Sequence, residues 1–222
     1  MATDNQDASR RKAVVLISGG GSNLQAFIDH IDAGELDLDI ALVVSNVTTA
    51  FGLTRAESAG IPNVCISHKD YSSRLEFDTA LMSTIDQSEP DIVILAGFMR
   101  ILTKEFVDHY KNRLVNIHPS LLPKFTGVNT HQRALDANEE WHGASIHFVI
   151  PELDAGPVIL QGRLPITSED DAESLQNRVH KIEHQLYPLA VKWFCQDRLS
   201  INNGKVLLDG EISERQLQTF NL

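Results

Sequence analysis

Short apolar runs alternate with amphipathic stretches along the first half of the chain. The apolar runs predict strands at 13–18, 39–45, 63–66, 91–96 and 113–116. The stretches between them predict helices at 22–33, 51–59, 72–87 and 103–109. The strand at 91–96 has no polar alternation, which is typical of a strand with both faces covered by helices. This order predicts an α/β fold, Rossmann-like, with a doubly wound, mostly parallel sheet and helices on both faces.

The pattern changes beyond Pro119. A loop at 120–127 leads to a predicted helix near 130–137, followed by predicted strands at 143–150 and 157–166. Apolar residues then recur at three-to-four spacing and predict a long helix over 170–197. An Asn-Asn-Gly-Lys turn at 202–205 predicts a small C-terminal hairpin. We therefore expect one catalytic domain over 12–222 after a disordered lead-in at 1–11.

Composition narrows the class of protein. The 222 residues carry 30 acidic and 19 basic side chains, a formal net charge of −11, which disfavours binding to a nucleic-acid backbone. The apolar run at 13–17 is too short for a secretory signal or a membrane span. Cys65 and Cys195 form no disulfide framework and have no metal-ligand spacing. The sequence predicts a cytoplasmic protein with no nucleic-acid or membrane partner.

Three side chains carry the parts of an acyl-transfer site. Asn116 and His118 stand two apart in an apolar strand-like run and therefore leave the same face, just before Pro119 removes a ladder donor. Asp154 follows in a Leu-Asp-Ala-Gly-Pro segment. The pair also fits a turn-capping amide and a satisfied buried histidine, and its spacing alone does not choose between the two interpretations.

A glycine loop forms a second candidate site. Gly19, Gly20 and Gly21 follow the first strand, and Ser22 and Asn23 open the first helix, where unpaired amides favour an anion. The loop fits neither the dinucleotide fingerprint nor the P-loop. It favours a monophosphate, although a flexible connector would have the same composition.

Two weaker patterns accompany these sites. The segment at 95–102 could wall an apolar slot for a flat ring system, yet apolar residues after a strand also serve as core. Several histidines suggest a metal site: His118, His131, His142, His147, His180 and His184. They contain no recognised metal-ligand motif, so we predict no metal.

The chain resembles the phosphoribosylglycinamide formyltransferases of the formyltransferase superfamily over about 12–198. The resemblance rests on Gly-Ser-Asn-Leu-Gln at 21–25, Ala-Gly-Phe-Met-Arg-Ile-Leu at 96–102, Asn-Ile-His-Pro-Ser-Leu-Leu-Pro at 116–123 and Leu-Asp-Ala-Gly-Pro at 153–157. It implies formyl transfer from 10-formyltetrahydrofolate, as co-substrate, to the glycine amine of the ribonucleotide in purine biosynthesis. It also implies a monomer or homodimer that binds small molecules only.

The resemblance also implies residue roles. Asn116 and protonated His118 would stabilise the oxyanion, and Asp154 would tune His118 and move a proton through water. The ribonucleotide would contact Gly20, Gly21, Ser22, Asn23, His180 and Glu183. The folate would contact Arg74, Met99, Arg100, Ile101, Leu102, Asn116, Val149 and Asp154. The sequence departs from the family pattern at Gly20, Thr126 and Asn129, which affects expected affinity more than reaction type.

Three alternative functions would use some of the same residues. A methionyl-tRNA formyltransferase would share the catalytic three but should carry a larger basic C-terminal domain. A 10-formyltetrahydrofolate hydrolase would direct the triad at water and usually has an N-terminal regulatory domain. A non-catalytic phosphosugar-binding module would need the glycine loop alone.

Overall fold

The structure is a computed structural model that describes residues 10–213 and 216–222. The strands are β1 (Arg11–Ile17), β2 (Leu38–Ser45), β3 (Asn63–Cys65), β4 (Ile92–Leu95), β5 (Leu114–His118), β6 (Trp141–Phe148), β7 (Val158–Pro165), β8 (Leu199–Asn202), β9 (Lys205–Leu208) and β10 (Leu217–Thr219). The helices are α1 (Ser22–Asp32), α2 (Phe51–Ser58), α3 (Arg74–Asp86), α4 (Lys104–His109), α5 (Thr130–Asp136) and α6 (Ala172–Cys195), with a short 3-10 helix at His68–Asp70.

Within these described ranges, eight strands form one sheet in the order β10-β7-β6-β5-β4-β1-β2-β3. Strands β1 to β5 pair in parallel, β6 runs antiparallel to both β5 and β7, and β10 is parallel to β7. The hairpin of β8 and β9 stands apart from this sheet. The predicted mostly parallel sheet, long C-terminal helix and small hairpin are confirmed.

Alternate side chains of β1 enter two apolar cores, one on each face of the sheet. Val15 lies in the core that contains Phe27 of α1 and Tyr187 of α6. Val14 and Leu16 lie in the opposite core, with Phe77 of α3. Burial of each such side chain contributes about 1.5–3 kcal/mol to the stability of the fold, so packing stabilises both faces of the sheet. The loops at the carboxyl ends of the strands are consequently held on a rigid base.

The start of β1 and the far edge of the sheet differ from the prediction. Most of the expected lead-in, residues 1–9, lies outside the described residues, but its last residue, Arg11, begins β1. The Arg11 guanidinium donates to Asp91 at 3.1 Å and to Asp197 at 2.8 Å, which fixes the start of the strand. Strand β10 was not predicted; it has three residues and depends on β7 for its register.

None of the described helices combines the length and apolarity needed to cross a bilayer.

Candidate functional site

The predicted site residues gather at the carboxyl edge of the parallel strands. The sheet order shows that the chain moves outward from β1 to β2 and β3, and then returns to β4 on the other side of β1. Ligands in open α/β sheets bind at such a reversal of direction. The glycine loop follows β1, the apolar segment follows β4, and Asn116 and His118 end β5. The Tyr187 hydroxyl of α6 donates to the carbonyls of Leu95 at 3.1 Å and Val115 at 3.2 Å, tying these strands together.

His118 lies between two acceptors. Its Nδ1 is 3.5 Å from Oδ2 of Asp154, and its Nε2 is 2.9 Å from the carbonyl oxygen of Phe125. A neutral imidazole can donate from only one ring nitrogen, whereas an imidazolium donates from both. His118 is 5% exposed, and an oxygen atom inside the protein faces each of its ring nitrogens.

Asp154 reaches His118 from the loop between β6 and β7. Its backbone has a left-handed φ of 51°, a conformation that non-glycine residues rarely adopt. Its Oδ2 also accepts the Gly127 amide hydrogen at 2.8 Å. The 120–129 loop thus covers the histidine–aspartate pair through the Phe125 carbonyl and the Gly127 amide.

His147 is a site residue that the sequence indicated only as one of several histidines. It stands opposite Asn116 in the pairing of β5 with β6. Burial lowers the pKa of His147, so the ring is neutral; its Nδ1 donates to the Phe148 carbonyl at 3.0 Å. Its Nε2 is therefore free to accept from the Asn116 amide nitrogen, 3.2 Å away. This hydrogen bond fixes the orientation of the Asn116 side chain and leaves its second N–H available.

The glycine loop is braced by α2. Gly21 has a φ of 69°, and a Cβ built on it would lie 2.7 Å from the Gly52 Cα. The Gly52 amide donates to the Gly19 carbonyl at 3.0 Å, and the Arg55 Nε donates to the Gly20 carbonyl at 2.8 Å. Two glycines therefore allow loop and helix to touch, and the sequence did not indicate Gly52 or Arg55 as part of the site.

Asn23 and Glu183 meet below the glycine loop. The Asn23 Nδ2 donates to Oε2 of Glu183 at 2.9 Å, while Asn23 Oδ1 is buried without a hydrogen-bond partner among the described residues. Burial raises the pKa of Glu183 to about 7, opposed by the Asn23 hydrogen bond. A ligand hydroxyl could donate to this carboxylate once it is ionised. His180 lies one turn earlier on α6 and is half-buried.

The apolar segment after β4 presents an exposed face. Met99 is 70% exposed and Ile101 is 55% exposed, which is unusual for large apolar side chains. The Met99 amide donates to the Ser18 hydroxyl at 2.7 Å, linking this segment to the glycine loop. The fully buried Asp78 accepts the Thr103 amide hydrogen at 2.6 Å and so holds the far end of the segment.

The remaining predicted folate contacts are less tightly placed. Arg74 is exposed at the start of α3. Burial raises the pKa of Asp78, and the Arg74 charge partly opposes that increase. Val149 is half-buried, and its amide donates to the Leu114 carbonyl at 2.9 Å beside β5. The Arg100 Nε is buried and has no hydrogen-bond partner in the part of the chain that the structure describes.

His131 and His142 contact each other through their ring nitrogens. His142 Nε2 lies 3.0 Å from His131 Nδ1, and burial lowers the pKa of each to about 4. No three His, Cys, Asp or Glu side chains in the described ranges form a group that could hold a metal ion.

Comparisons with known proteins extend these observations. Residues 11–191 match the formyl transferase family. The phosphoribosylglycinamide formyltransferase of Escherichia coli (strain K12) is 48% identical over 198 residues, which cover 89% of this chain and 93% of that protein. The structure of the phosphoribosylglycinamide formyltransferase from Coxiella burnetii matches with a TM-score of 0.90 and 49% identity, covering 96% of this chain and 100% of the other.

A solved structure with a different activity is more distant. A formyltetrahydrofolate deformylase from Pseudomonas syringae matches with a TM-score of 0.84 but only 25% identity, covering 90% of this chain and 66% of the other. The fold is therefore shared with a deformylase, while the sequence is much closer to the proteins named phosphoribosylglycinamide formyltransferase.

Proposed function

The chain belongs to the formyl transferase family, among its phosphoribosylglycinamide formyltransferases, and from that premise we propose how its residues carry the reaction. The enzyme transfers a formyl group to the glycine amine of N1-(5-phospho-D-ribosyl)glycinamide in purine biosynthesis. We propose that the formyl donor is 10-formyltetrahydrofolate, with its ring system against the exposed apolar segment at 99–102.

The observation that carries the proposal is that His118 faces Asp154 and shares one face of β5 with Asn116, at the edge where the glycine loop and the apolar segment also lie. As the amine attacks the formyl carbon, negative charge develops on the formyl oxygen. The second N–H of Asn116 and the His118 imidazolium would donate to that oxygen. Such preorganised donors contribute about 3–4 kcal/mol each to barrier lowering.

Asp154 has a separate role in this proposal. Its carboxylate, 3.5 Å from His118 Nδ1, would orient the ring and would accept, through a water molecule, the proton that the attacking amine loses. The proton then passes to the folate nitrogen as the carbon–nitrogen bond to the donor breaks. No side chain forms an acyl-enzyme, because the two reactants meet directly. The Phe125 carbonyl must leave His118 Nε2 before that nitrogen can donate to substrate.

The ribonucleotide half of the site would be formed by Gly20, Gly21, Ser22 and Asn23 around the phosphate, with Glu183 accepting from ribose hydroxyls. His180 would stand beside them on α6. The folate half would include Arg74, Arg100, Leu102 and Val149.

A two-substrate assay tests this function. We expect formylated product to appear only when glycinamide ribonucleotide is present, with stoichiometric loss of the formyl donor. Formate release that does not depend on the amine would instead identify a hydrolase and overturn the proposal.

A further inference from the structure

A cavity of about 270 Å³ opens beside the glycine loop between α1, α2 and α6. The side chains around it are Ser22, Gln25, Ala26, Asp29, His30, Arg55 and His184. Ser22 belongs to the glycine loop and Arg55 braces it, so the cavity adjoins the proposed phosphate position. His184 has no part in the reaction proposed above.

His184 presents an unsatisfied nitrogen. Its Nε2 is buried and has no hydrogen-bond partner among the described residues. The His180 ring lies nearly parallel to the His184 ring, with the centroids 6.3 Å apart and the planes at 12°. The two residues are one turn apart on α6 and therefore share a face. A polar atom buried without a partner costs free energy that a ligand could recover.

Both imidazoles rest neutral in the free protein. Burial lowers the pKa of His180 and of His184, and the neighbouring His180 and Arg55 lower the pKa of His184 further, whereas Asp29 opposes them. A dianion placed beside the pair would reverse this balance, because an opposite charge within about 4–6 Å favours the charged imidazole.

Among the other titratable groups around the pair, Asp29 is the carboxylate whose charge favours protonation of His184 before a phosphate arrives. On α1, Asp29 accepts from Gln25 Nε2 at 2.9 Å, and the His30 Nδ1 lies 2.8 Å from the Ala26 carbonyl. On α5, His131 has a pKa of about 4 and is neutral. On α6, Oε2 of Glu183 accepts a hydrogen bond from Asn23 Nδ2 at 2.9 Å. Arg55 on α2 remains the fixed positive charge at the cavity.

We propose that the His180–His184 pair, which lies beside Arg55 and the glycine loop assigned to the ribonucleotide phosphate, takes up a proton from solvent as that phosphate enters. The inference rests on the proposed function and deepens it. The added proton goes to one imidazole nitrogen, and no covalent bond in the ligand changes. The second negative charge of the phosphate is then matched by a charge that forms only on binding.

Calorimetric titration measures the proton directly. The full-length protein is titrated at pH 7.5 with the formylated product, N-formylglycinamide ribonucleotide, which keeps the phosphate but lacks the titrating amine. The binding enthalpy in buffers of different ionisation enthalpy gives the number of protons exchanged. His184→Gln and His180→Gln are the test variants, and His109→Gln, at an exposed histidine that pairs with Asp86, is the matched control.

We expect the wild type and His109→Gln to take up roughly half a proton more than His184→Gln or His180→Gln, as a pKa increase of about 1–3 units at the pair would give. Ionisation of Glu183 releases protons in every variant and cancels in this difference. The affinity of the wild type should fall several-fold from pH 7 to pH 8.5, while that of His184→Gln stays nearly flat.

The outcomes separate the two levels of the proposal. Product binding with the same proton exchange in wild type and in both histidine variants would overturn the proton uptake and leave the transferase intact. Failure of the wild type to bind the product, together with no amine-dependent transfer, would overturn the proposed function itself.

Discussion

His118 and Asp154 lie 3.5 Å apart, from Nδ1 to Oδ2, although they come from the end of β5 and from the loop after β6. The opposite ring nitrogen of His118 lies 2.9 Å from the Phe125 carbonyl. Both ring nitrogens of His118 therefore face oxygen atoms before substrate arrives, one from Asp154 and one from the 120–129 loop.

The first prediction concerns this pair. His118→Ala and Asp154→Asn should each lower kcat by at least about 10²-fold, because each removes a donor or a proton acceptor used in the transition state. The affinity for the ribonucleotide should change little, since neither residue belongs to the glycine loop. Steady-state kinetics measure kcat, and titration with the formylated product measures affinity at the ribonucleotide site. His109→Gln serves as a control. Near-normal turnover of either variant would contradict the assigned roles.

The second prediction treats His147 as a positioning residue that acts through Asn116. His147→Phe removes the acceptor 3.2 Å from the Asn116 amide, so the amide should rotate away from the oxyanion position. We expect kcat to fall about 10–100-fold with KM for both substrates nearly unchanged. His147→Gln can still accept from the amide and should recover part of kcat. Equal losses in the two variants would show that His147 serves stability alone.

The third prediction concerns the close approach of the glycine loop to α2. Gly21→Ala should raise the KM for the ribonucleotide at least about 10-fold and lower the melting temperature, since a left-handed alanine costs about 1–2 kcal/mol. Its Cβ would also lie 2.7 Å from the Gly52 Cα. Gly19→Ala is the control, because a Cβ there meets nothing within 4 Å. If the two variants behave alike, the steric argument is wrong.

The sequence was sufficient for the parallel half of the sheet, because strands such as β4 are continuously apolar and alternate with helices along the chain. Asn116 and His118 were also identifiable, since alternation places them on one strand face. The strand pattern at 143–150 even set His147 on the same face as Ser145. The pairing of Asn116 with His147 could not be predicted from the sequence, because a long segment separates β5 from β6 and the strand pattern does not set their register.

The parts that the sequence missed depend on tertiary contacts. The left-handed backbone of Asp154 and the contact of Phe125 with His118 arise from loop hydrogen bonds, which residue propensities do not encode. Arg55 reads as a surface residue of an amphipathic helix, and only the fold brings it to the Gly20 carbonyl. Strand β10 has three residues and no apolar alternation, so its pattern is too weak to predict a strand.

Burial of Glu183 lowers the stability of the folded protein, although the proposed ribose contact requires this carboxylate. It is 4% exposed, and burial raises its pKa from 4.5 to about 7. Between these two pH values the unfolded chain loses the proton while the folded chain keeps it. Stability therefore falls as pH rises through this window, and the penalty, about 1–3 kcal/mol, is fully present above pH 7.

The last prediction follows from this penalty. Glu183→Gln cannot ionise, its Oε1 can still accept from Asn23 Nδ2, and its new N–H can donate to the unpartnered Asn23 Oδ1. We expect the variant to be about 1–3 kcal/mol more stable than wild type at pH 8, with the difference shrinking toward pH 5, as measured by urea unfolding. Its affinity for the ribonucleotide should fall about 10-fold or more, because a neutral amide is a weaker acceptor for ribose hydroxyls than a carboxylate. A stability difference that does not change with pH would show that Glu183 is not the group responsible, since only the ionisation of this carboxylate distinguishes the two proteins across that range.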